Sequence, residues 1–430
     1  MAGRLASQPM NLARTTALNG LAVIVRLASG LVLNKALAVY VGPAGFGLVG
    51  QFQSFVAMVA GLAGGALSNG VTKLTSQHGA APERQLLVWR TALSVGMAGT
   101  ALSALLLLVF ARPLAGWLLG NTAYSSVMGW LAATLVLVML NALVLAVLAG
   151  TKQVTAFVVA GVGGSLLSLA VTLLLITQAG LHGALVAVAV GQALAGVSAL
   201  VVFRKVWRGR WRDLFGRPDR QALHALSGFA LMAATTAVVV PLAQIAIRAG
   251  LTRLIGAEAT GHWQALAKLS ESHLMLLTAT LSLYFLPRFA EIADGPELAR
   301  EVSKGYRFVV PLALVTASLI YVAREPMVAL LFTPAFMPIT EAMGWQLAGD
   351  LLKIASWVPA YTMISHARTR LFMATEVIFT CVVVVAVLLG AAGFGLVGAA
   401  IGYAITYALY WVGVHAALRP LVRRLSPDVY

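Results

Sequence analysis

The chain has 430 residues, of which 60% are hydrophobic and only 10% are charged, and its formal net charge is +16. A mean hydropathy of +0.90 places it among polytopic membrane proteins rather than soluble ones. The single cysteine, Cys381, excludes an intrachain disulfide and a cysteine metal cluster.

The N-terminal stretch lacks the short apolar core and the small-residue cleavage site of a signal peptide, so we expect its first helix to remain in the mature protein. Long apolar runs follow, separated by polar or charged turns, which is the pattern of an all-α membrane protein. These runs predict twelve transmembrane helices, at about residues 12–41, 45–76, 87–111, 125–150, 154–178, 182–204, 222–251, 259–288, 304–323, 343–366, 371–390 and 395–418.

The distribution of Lys and Arg predicts the orientation of these helices. When both termini are placed in the cytoplasm, most basic residues fall on cytoplasmic connections, and only Arg112, Arg253 and Arg324 fall on the opposite side. This bias accounts for the net positive charge without nucleic acid as a partner. It also places cytoplasmic arginines where they can touch the anionic headgroups of membrane lipids.

The segment 204–220 is the longest strongly charged connection and lies at the middle of the chain. An internal repeat supports a division here, because two motifs recur at a shift of 215 residues: Gly180-Leu181-His182-Gly183-Ala184 as Gly395-Leu396-Val397-Gly398-Ala399, and Met128-Gly129-Trp130 as Met343-Gly344-Trp345. We expect an N-terminal six-helix lobe at 1–203, a basic cytoplasmic linker at 204–221 and a C-terminal six-helix lobe at 222–430. Six is an even number, so the pseudo-twofold axis should lie along the membrane normal, with the substrate path between the lobes.

The first predicted helix carries two cations, Arg26 and Lys35. A charge in the hydrocarbon core costs about 3 kcal/mol or more, so such a residue usually faces protein or a water-filled cavity. Nine residues apart, the two side chains lie on opposite faces of a straight helix. A bend or unwinding at Gly30 would aim both at one central cavity; otherwise Lys35 reaches the interface by snorkelling. The competing interpretation of each cation is a structural residue that positions the helix.

The rest of the N-terminal lobe adds Asn69 and Lys73, and its only acid is Glu83 in a predicted cytoplasmic loop. This lobe therefore offers cations without carboxylate partners. In the C-terminal lobe, Arg248 aligns within one residue of Lys35 under the repeat shift. A cation at a similar depth in the first helix of each lobe favours a shared lumen.

Two pairs of opposite charge lie in the C-terminal lobe. Lys268 and Glu271 are three residues apart on one predicted helix, and Asp350 and Lys353 are three apart on another. At this spacing each pair can face one way and neutralise itself as an internal salt bridge. Alternatively, a pair opens and closes with a transport cycle or binds a proton or an ion, and His273 and Glu376 could titrate as well.

Unpaired Arg and Lys in a two-lobed bundle suit a phosphate or pyrophosphate that must leave water, so we expect an anionic ligand. Seams between six-helix lobes would allow a lipid tail to stay in the bilayer while its head crosses the lumen. The sequence permits this arrangement without requiring it.

At the level of motifs, the chain resembles the Wzx-type flippases of lipid-linked oligosaccharides, within the multidrug/oligosaccharidyl-lipid/polysaccharide (MOP) exporter superfamily, and above all the branch that serves enterobacterial common antigen. The matching stretches are Gly42-Pro43-Ala44-Gly45-Phe46-Gly47, Asn69-Gly70-Val71-Thr72-Lys73, Trp263-Gln264, Tyr284-Phe285-Leu286-Pro287, Glu301-Val302-Ser303-Lys304 and Trp345-Gln346-Leu347-Ala348-Gly349-Asp350-Leu351-Leu352-Lys353. The last is the most specific. The residues that match charged positions of the family are Arg26, Lys35, Lys73, Arg248, Glu271, Asp350 and Lys353. Lys268 departs from the family pattern.

This resemblance implies an inner-membrane flippase that moves an undecaprenyl-diphosphate-linked oligosaccharide to the periplasmic leaflet by alternating access, for enterobacterial common antigen or O-antigen. It implies no catalytic residues, no cofactor and no metal. The diphosphate would meet Arg26, Lys35 and Arg248, with Asn69, Lys73 and Lys268 completing the substrate site, while Glu271, Asp350 and Lys353 would serve coupling or gating. A polysaccharide polymerase and a chain-length regulator are the protein partners it suggests. The chain has no phosphate-binding Gly-rich loop and hence no sign of an ATPase.

Two other functions fit the hydropathy. A multidrug exporter of the same superfamily would share the twelve helices, but cationic drugs require buried carboxylates, which the N-terminal lobe lacks. A membrane glycan polymerase or ligase would present donor and acceptor sites outside the membrane. The predicted external connections are short and carry no clustered catalytic set, so the flippase is the preferred function.

Overall fold

The computed structural model describes residues 12–207, 209–280, 285, 288–289, 292, 295–365 and 369–425. Within these residues the regular structure is entirely helical. Its α-helices are α1 Leu12–Leu62, α2 Ser68–Gln77, α3 Pro82–Val109, α4 Ala111–Leu119, α5 Ser125–Gly150, α6 Val154–Val206, α7 Arg220–Thr280, α8 Gly295–Val322, α9 Arg324–Leu331, α10 Ile339–Ser365 and α11 Thr369–Leu425. Short 3-10 turns connect some of them, at Gly65–Leu67, Thr122–Tyr124, Trp211–Leu214 and Pro334–Phe336.

Four of the long helices are interrupted by non-helical backbone at glycine. Gly42 in α1 has φ 63° and Gly256 in α7 has φ 92°, both in the left-handed region that favours a residue without a Cβ. The bend in α6 pairs Ala179 (φ −131°) with Gly180 (φ 51°), and Phe394 (φ −135°) with Gly395 (φ 60°) repeats it in α11. The bends in α1, α6 and α7 lie between two of the predicted helices, and the bend in α11 lies at the start of the predicted helix 395–418. The repeated sequence motif thus carries a repeated backbone conformation, 215 residues later.

The length and apolarity of the helices mark a membrane protein. Among the described residues, seven helices are long and apolar enough to cross a bilayer. At 1.5 Å per residue, the 53 residues of α6 would extend far beyond the ~30 Å hydrocarbon core if they were straight. The bend at Gly180 therefore has a clear use, since it divides α6 into two segments of membrane length.

The chain forms two compact units, Met1–Val41 with Leu48–Leu242, and Gly42–Gly47 with Ala243–Tyr430. In the first unit, α2, α3, α5 and α6 enclose a core around Val71, Trp89 and Leu148. Leu226 of α7 belongs to the same core. Residues 220–242 thus pack with the first unit, whereas the sequence repeat assigns 222–430 to the C-terminal lobe. The two six-helix lobes come from the sequence repeat, whereas the two units come from contacts. The lobes therefore stay a prediction.

Two hydrophobic cores join the helices of the second unit. Phe289, Leu298 and Val358 belong to one core, which α8 and α10 share. Leu251, Trp263 and Val387 belong to another, which joins α7 to α11. At Gly261 any Cβ would collide with the backbone of Pro43, so only glycine allows these two segments to approach so closely. This packing holds the polar residues of α7, α10 and α11 against one another.

Some expectations fall outside the described residues. These are the orientation of the two termini at 1–11 and 426–430, the end of the predicted helix 259–288 beyond Thr280, and three residues of the matching motif, Tyr284, Leu286 and Pro287.

Candidate functional site

The two cations of the first helix lie on a continuous helix. Within α1 the only non-helical backbone is at Gly42, so the unwinding considered at Gly30 is wrong. Arg26 and Lys35 therefore point about 180° apart, as nine residues of regular α-helix require. Arg26 is exposed on its unit, with its guanidinium beside Gly161 of α6, and Lys35 is half-buried and engaged in an interaction. The structure does not bring these two cations to one face of the first unit.

Asn69 and Lys73 lie one turn apart on α2, and both are exposed. The Lys73 ammonium lies 4.9 Å from the ring centroid of Phe229, a cation–π contact with α7. The aromatic ring therefore orients Lys73. Among the described residues of the first unit, no acid lies within ion-pair distance of its ammonium. That these residues belong to a substrate site stays a prediction.

Arg248 is buried, with 4% of its surface exposed. Its Nε donates a hydrogen bond to Oε1 of Gln264 at 2.7 Å, and its Nη1 donates to the carbonyl oxygen of Gln244 at 3.1 Å. Neutral oxygens satisfy these donors without cancelling the positive charge, and Glu271 is the acid that attracts it electrostatically. Gln264, part of the matching Trp263-Gln264 motif, is thus the residue that orients this guanidinium.

Lys268 and Glu271 form the ion pair that their spacing suggested. The Lys268 ammonium lies 2.8 Å from Oε2 of Glu271, one turn along α7. The pair is open on one side, since 27% of the Lys268 side chain and 64% of the Glu271 side chain are exposed. Lys268, the departure from the family pattern, therefore neutralises the neighbouring acid.

Asp350 lies at the centre of a buried network that joins three helices, and its side chain is 0% exposed. Its Oδ1 accepts hydrogen bonds from Ser270 of α7 at 2.5 Å and from the hydroxyl of Tyr403 of α11 at 2.9 Å. Gln346, one turn earlier on α10, donates to the Ser270 hydroxyl at 3.3 Å. A carboxylate removed from water needs such donors, and the spacing of residues along α10 does not predict them.

The other oxygen of Asp350 faces a histidine. Oδ2 lies 3.7 Å from Nδ1 of His273, and both atoms are buried without a hydrogen-bond partner among the described residues. The opposite ring nitrogen, Nε2, is 2.9 Å from the Thr316 hydroxyl of α8. At 3.7 Å the two facing atoms are too far apart for a hydrogen bond, so this side of the buried carboxylate contacts the imidazole without being bonded to it.

Lys353 does not pair with Asp350, so the salt bridge allowed by their spacing is absent. Instead its ammonium lies over three aromatic rings, 4.8 Å from the centroid of Tyr407, 5.4 Å from Trp357 and 5.7 Å from Tyr403. Tyr403 touches both charges, Asp350 through its hydroxyl and Lys353 through its ring. Aromatic faces attract a cation more strongly when it is desolvated, so they replace the expected carboxylate.

The residues of this network that were not predicted share one feature of the sequence, their helical spacing. Tyr403, Tyr407 and Tyr410 recur every three or four residues, and Gln346, Asp350 and Lys353 do the same on α10, so each set follows one helical face. A polar stripe on an apolar helix indicates a face turned toward protein. Nothing in the spacing, however, indicates that the two stripes meet.

The fold is that of MOP superfamily transporters. Two solved structures show it: an inward-facing "multidrug resistance MATE family transporter of the MOP superfamily" has a TM-score of 0.75 at 14% identity, covering 94% of this chain and 98% of that one. The "lipid II flippase MurJ" in an inward closed conformation has a TM-score of 0.74 at 11% identity, covering 96% and 90%.

Sequence comparison specifies the family. Residues 12–293 match the profile of a polysaccharide biosynthesis protein family. The lipid III flippases of Escherichia coli (strain K12) and of Shigella flexneri are each 30% identical over 405 residues, covering 94% of this chain and 97% of theirs. The chain belongs to the polysaccharide biosynthesis protein family, and its resemblance to flippases of lipid-linked oligosaccharides is confirmed.

Proposed function

We propose that this protein is a flippase that moves an undecaprenyl-diphosphate-linked oligosaccharide from the cytoplasmic to the periplasmic leaflet of a bacterial inner membrane. The observation that carries the proposal is the similarity to lipid III flippases along nearly the whole length of both chains. Family membership adds polysaccharide biosynthesis as the setting. The flippase makes and breaks no bond, and a polysaccharide polymerase with a chain-length regulator would use its product.

The proposed architecture has twelve membrane spans in two six-helix lobes, with both termini and the linker 204–221 in the cytoplasm. The bends at Gly42, Gly180, Gly256 and Gly395 support this count, because each divides a long helix where two spans are expected. The near-identical bends at Gly180 and Gly395 support the internal repeat. The Lys and Arg bias supports the orientation.

In this proposal, Arg26 and Lys73 attract the diphosphate, with Asn69 one turn from Lys73 as a hydrogen-bonding group, and Lys35, on the opposite face of α1 from Arg26, adds positive charge. The exposure of Arg26, Asn69 and Lys73 on their unit supports this role, as does the absence of any acid other than Glu83 before Asp213. In the second unit, the proposed substrate residues are Arg248, a buried cation, and Lys268, which is paired with Glu271. A guanidinium can grip a phosphate with two hydrogen bonds, so Arg26 is the strongest candidate for direct contact.

We further propose that Asp350 and His273 couple the flippase to a proton gradient, with Glu271 and Lys353 as charged neighbours. If His273 became doubly protonated, its 3.7 Å contact with Oδ2 of Asp350 would become an ion pair, and the buried negative charge would be paired. The helices α7, α8, α10 and α11 all contribute a group to this network, so a change of its charge would act on their packing.

Reconstitution tests the function directly. Purified protein in liposomes, supplied with a fluorescent diphosphate-linked oligosaccharide lipid, should move the headgroup to the opposite leaflet, and an imposed proton gradient should change the rate. Protein-free liposomes are one control. The other is the movement of a labelled zwitterionic lipid between leaflets, which should not be accelerated by the protein. A folded, membrane-inserted protein that leaves the labelled lipid in its original leaflet would refute the proposal.

A multidrug exporter is the second candidate, favoured by the structural similarity to a multidrug resistance transporter. The same liposomes, loaded with a cationic dye in place of the lipid, separate the two. Dye export without lipid movement would assign the chain to that function.

A further inference from the structure

The first unit contains a cavity of about 450 Å³ that none of the proposed transport residues touches. Its wall is formed by apolar side chains at one end of α3, α5 and α6, among them Leu93, Leu143 and Leu200. Among the described residues that line it, only Arg204, in the last turn of α6, carries a charge. This volume lies in the usual range of ~300–1,000 Å³ for ligand sites, and a cavity so apolar does not hold ordered water.

The segment after α6 closes one side of this cavity. Trp211 and Phe215 line it, although 66% of the Phe215 side chain remains exposed. The segment is held in place along α3, where Arg90 donates hydrogen bonds from Nε and Nη2 to the carbonyl oxygen of Asp213, at 3.1 and 2.8 Å. Ser94 donates to the carbonyl oxygen of Gly216 at 3.3 Å. The part of the predicted linker around Asp213 and Gly216 is therefore docked against the first unit.

The surroundings of the cavity are basic at one end and apolar at the other. The segment 204–220 contains seven Lys or Arg residues and two acids. Both acids are used locally, since Asp213 accepts from the backbone N–H of Arg210 and Asp219 accepts from that of Ala222. On the apolar side, Val201 lines the cavity and is 54% exposed on a membrane-length helix, so this wall opens toward lipid.

We propose that this cavity binds one acyl chain of an anionic phospholipid, whose headgroup phosphate is held by Arg204. An apolar chamber beside a membrane-facing helix suits a hydrocarbon chain, and aromatic side chains such as Trp211 and Phe215 are typical of the interface between hydrocarbon and water. Arg204 forms no hydrogen bond or ion pair with the described residues, which leaves its guanidinium available to a phosphate. Excess basic charge around it selects anionic headgroups over zwitterionic ones.

A bound lipid would restrain the segment that connects α6 to α7. The lipid would fill the space between α3, α5, α6 and the docked segment, and it would hold the segment that leads into α7 against the first unit. Because α7 begins at Arg220, directly after the segment, an occupied cavity would restrain the start of that helix. The site is therefore a place where membrane composition can regulate the protein, whatever substrate it moves.

Binding can be measured by native mass spectrometry of delipidated protein titrated with phosphatidylglycerol or phosphatidylcholine of the same acyl chains. We expect at least about fivefold tighter binding of the anionic lipid, and Arg204→Gln should remove most of this preference, because one Arg near a membrane surface is worth about that factor. The matched control is Arg84→Gln, an exposed residue of α3 that does not line the cavity.

Two further measurements locate the acyl chain. Leu143→Trp fills the cavity and should lower binding of both lipids, whereas Leu102→Trp on the exposed face of α3 should not. With the unaltered protein, phosphatidylglycerol carrying a photoreactive acyl tail should label peptides of α5 and of the segment 204–220. Equal binding of the two lipids, or labelling elsewhere, would overturn the proposal. Displacement of phosphatidylglycerol by undecaprenyl phosphate would overturn it as well and would assign the cavity to the substrate tail.

Discussion

The Asp350 carboxylate has two roles: it accepts hydrogen bonds within the protein, and it is the proposed partner of His273 in proton coupling. Two replacements of Asp350 can distinguish its effect on folding stability from its effect on coupling. Asp350→Ala leaves the hydroxyls of Ser270 and Tyr403 buried without their shared acceptor. An unsatisfied buried group costs about 1–3 kcal/mol, so the two together should lower the free energy of unfolding by about 2–6 kcal/mol. Part of this loss is offset because the buried charge disappears too.

Asp350→Asn keeps the shape and one acceptor oxygen. The hydrogen bonds from Ser270 and Tyr403 can persist, but they lose the charge assistance that roughly doubles the strength of such a bond. The expected destabilisation is therefore smaller, about 1–2 kcal/mol. At the same time the amide cannot act as the negative partner of a protonated His273, so the response of flipping to a proton gradient should be lost.

Two measurements on the same preparations check this. Thermal unfolding of the detergent-purified proteins should rank the wild type above Asp350→Asn and Asp350→Ala, with Glu341→Gln, an exposed acid on the same helix, unchanged. Flipping in liposomes with and without a proton gradient then tests coupling. If folded Asp350→Asn answers the gradient as the wild type does, Asp350 is not the coupling group; if Asp350→Ala unfolds like the wild type, the network contributes nothing to stability.

Three further predictions follow from the positions of the charges. Arg26→Ala should abolish most flipping of a diphosphate-linked lipid and Arg26→Lys only part of it, at normal membrane abundance, because Lys keeps the charge and loses the planar fork; an unchanged rate for Arg26→Ala would exclude the contact. Exchanging Asp350 and Lys353 should not restore the stability lost in the single neutralisations, since the two charges have different partners, and recovered thermal stability would indicate an ion pair. In a Cys381→Ser background, a cysteine at position 210 should react with an impermeant maleimide only after the cells are opened; labelling of intact cells would reverse the proposed orientation.

The class of protein, the approximate positions of the helices and the family follow from the sequence alone, for a local reason. Hydropathy over about 20 residues reports whether a segment can lie in hydrocarbon, and it needs no knowledge of the neighbours. The bends themselves are seen only in the structure, which has left-handed backbone at glycines 42, 180, 256 and 395, a conformation that strains other residues. The motif that begins at Trp345 carries the resemblance to the flippases, and full-length similarity confirms it.

The partners of the polar residues were decided only by tertiary structure. The three-residue spacing of Asp350 and Lys353 allows a salt bridge, just as it allows the one observed between Lys268 and Glu271. On α7 the pair lies on a partly exposed face, where each charge is the other's nearest partner. On α10 the face is buried, so Asp350 meets groups of α7 and α11, including Ser270, 80 residues away, and Lys353 meets aromatic rings. Spacing along one helix reports which side chains can meet, but a buried side chain bonds to whatever the neighbouring helices bring to it, and that depends on the packing of the whole unit.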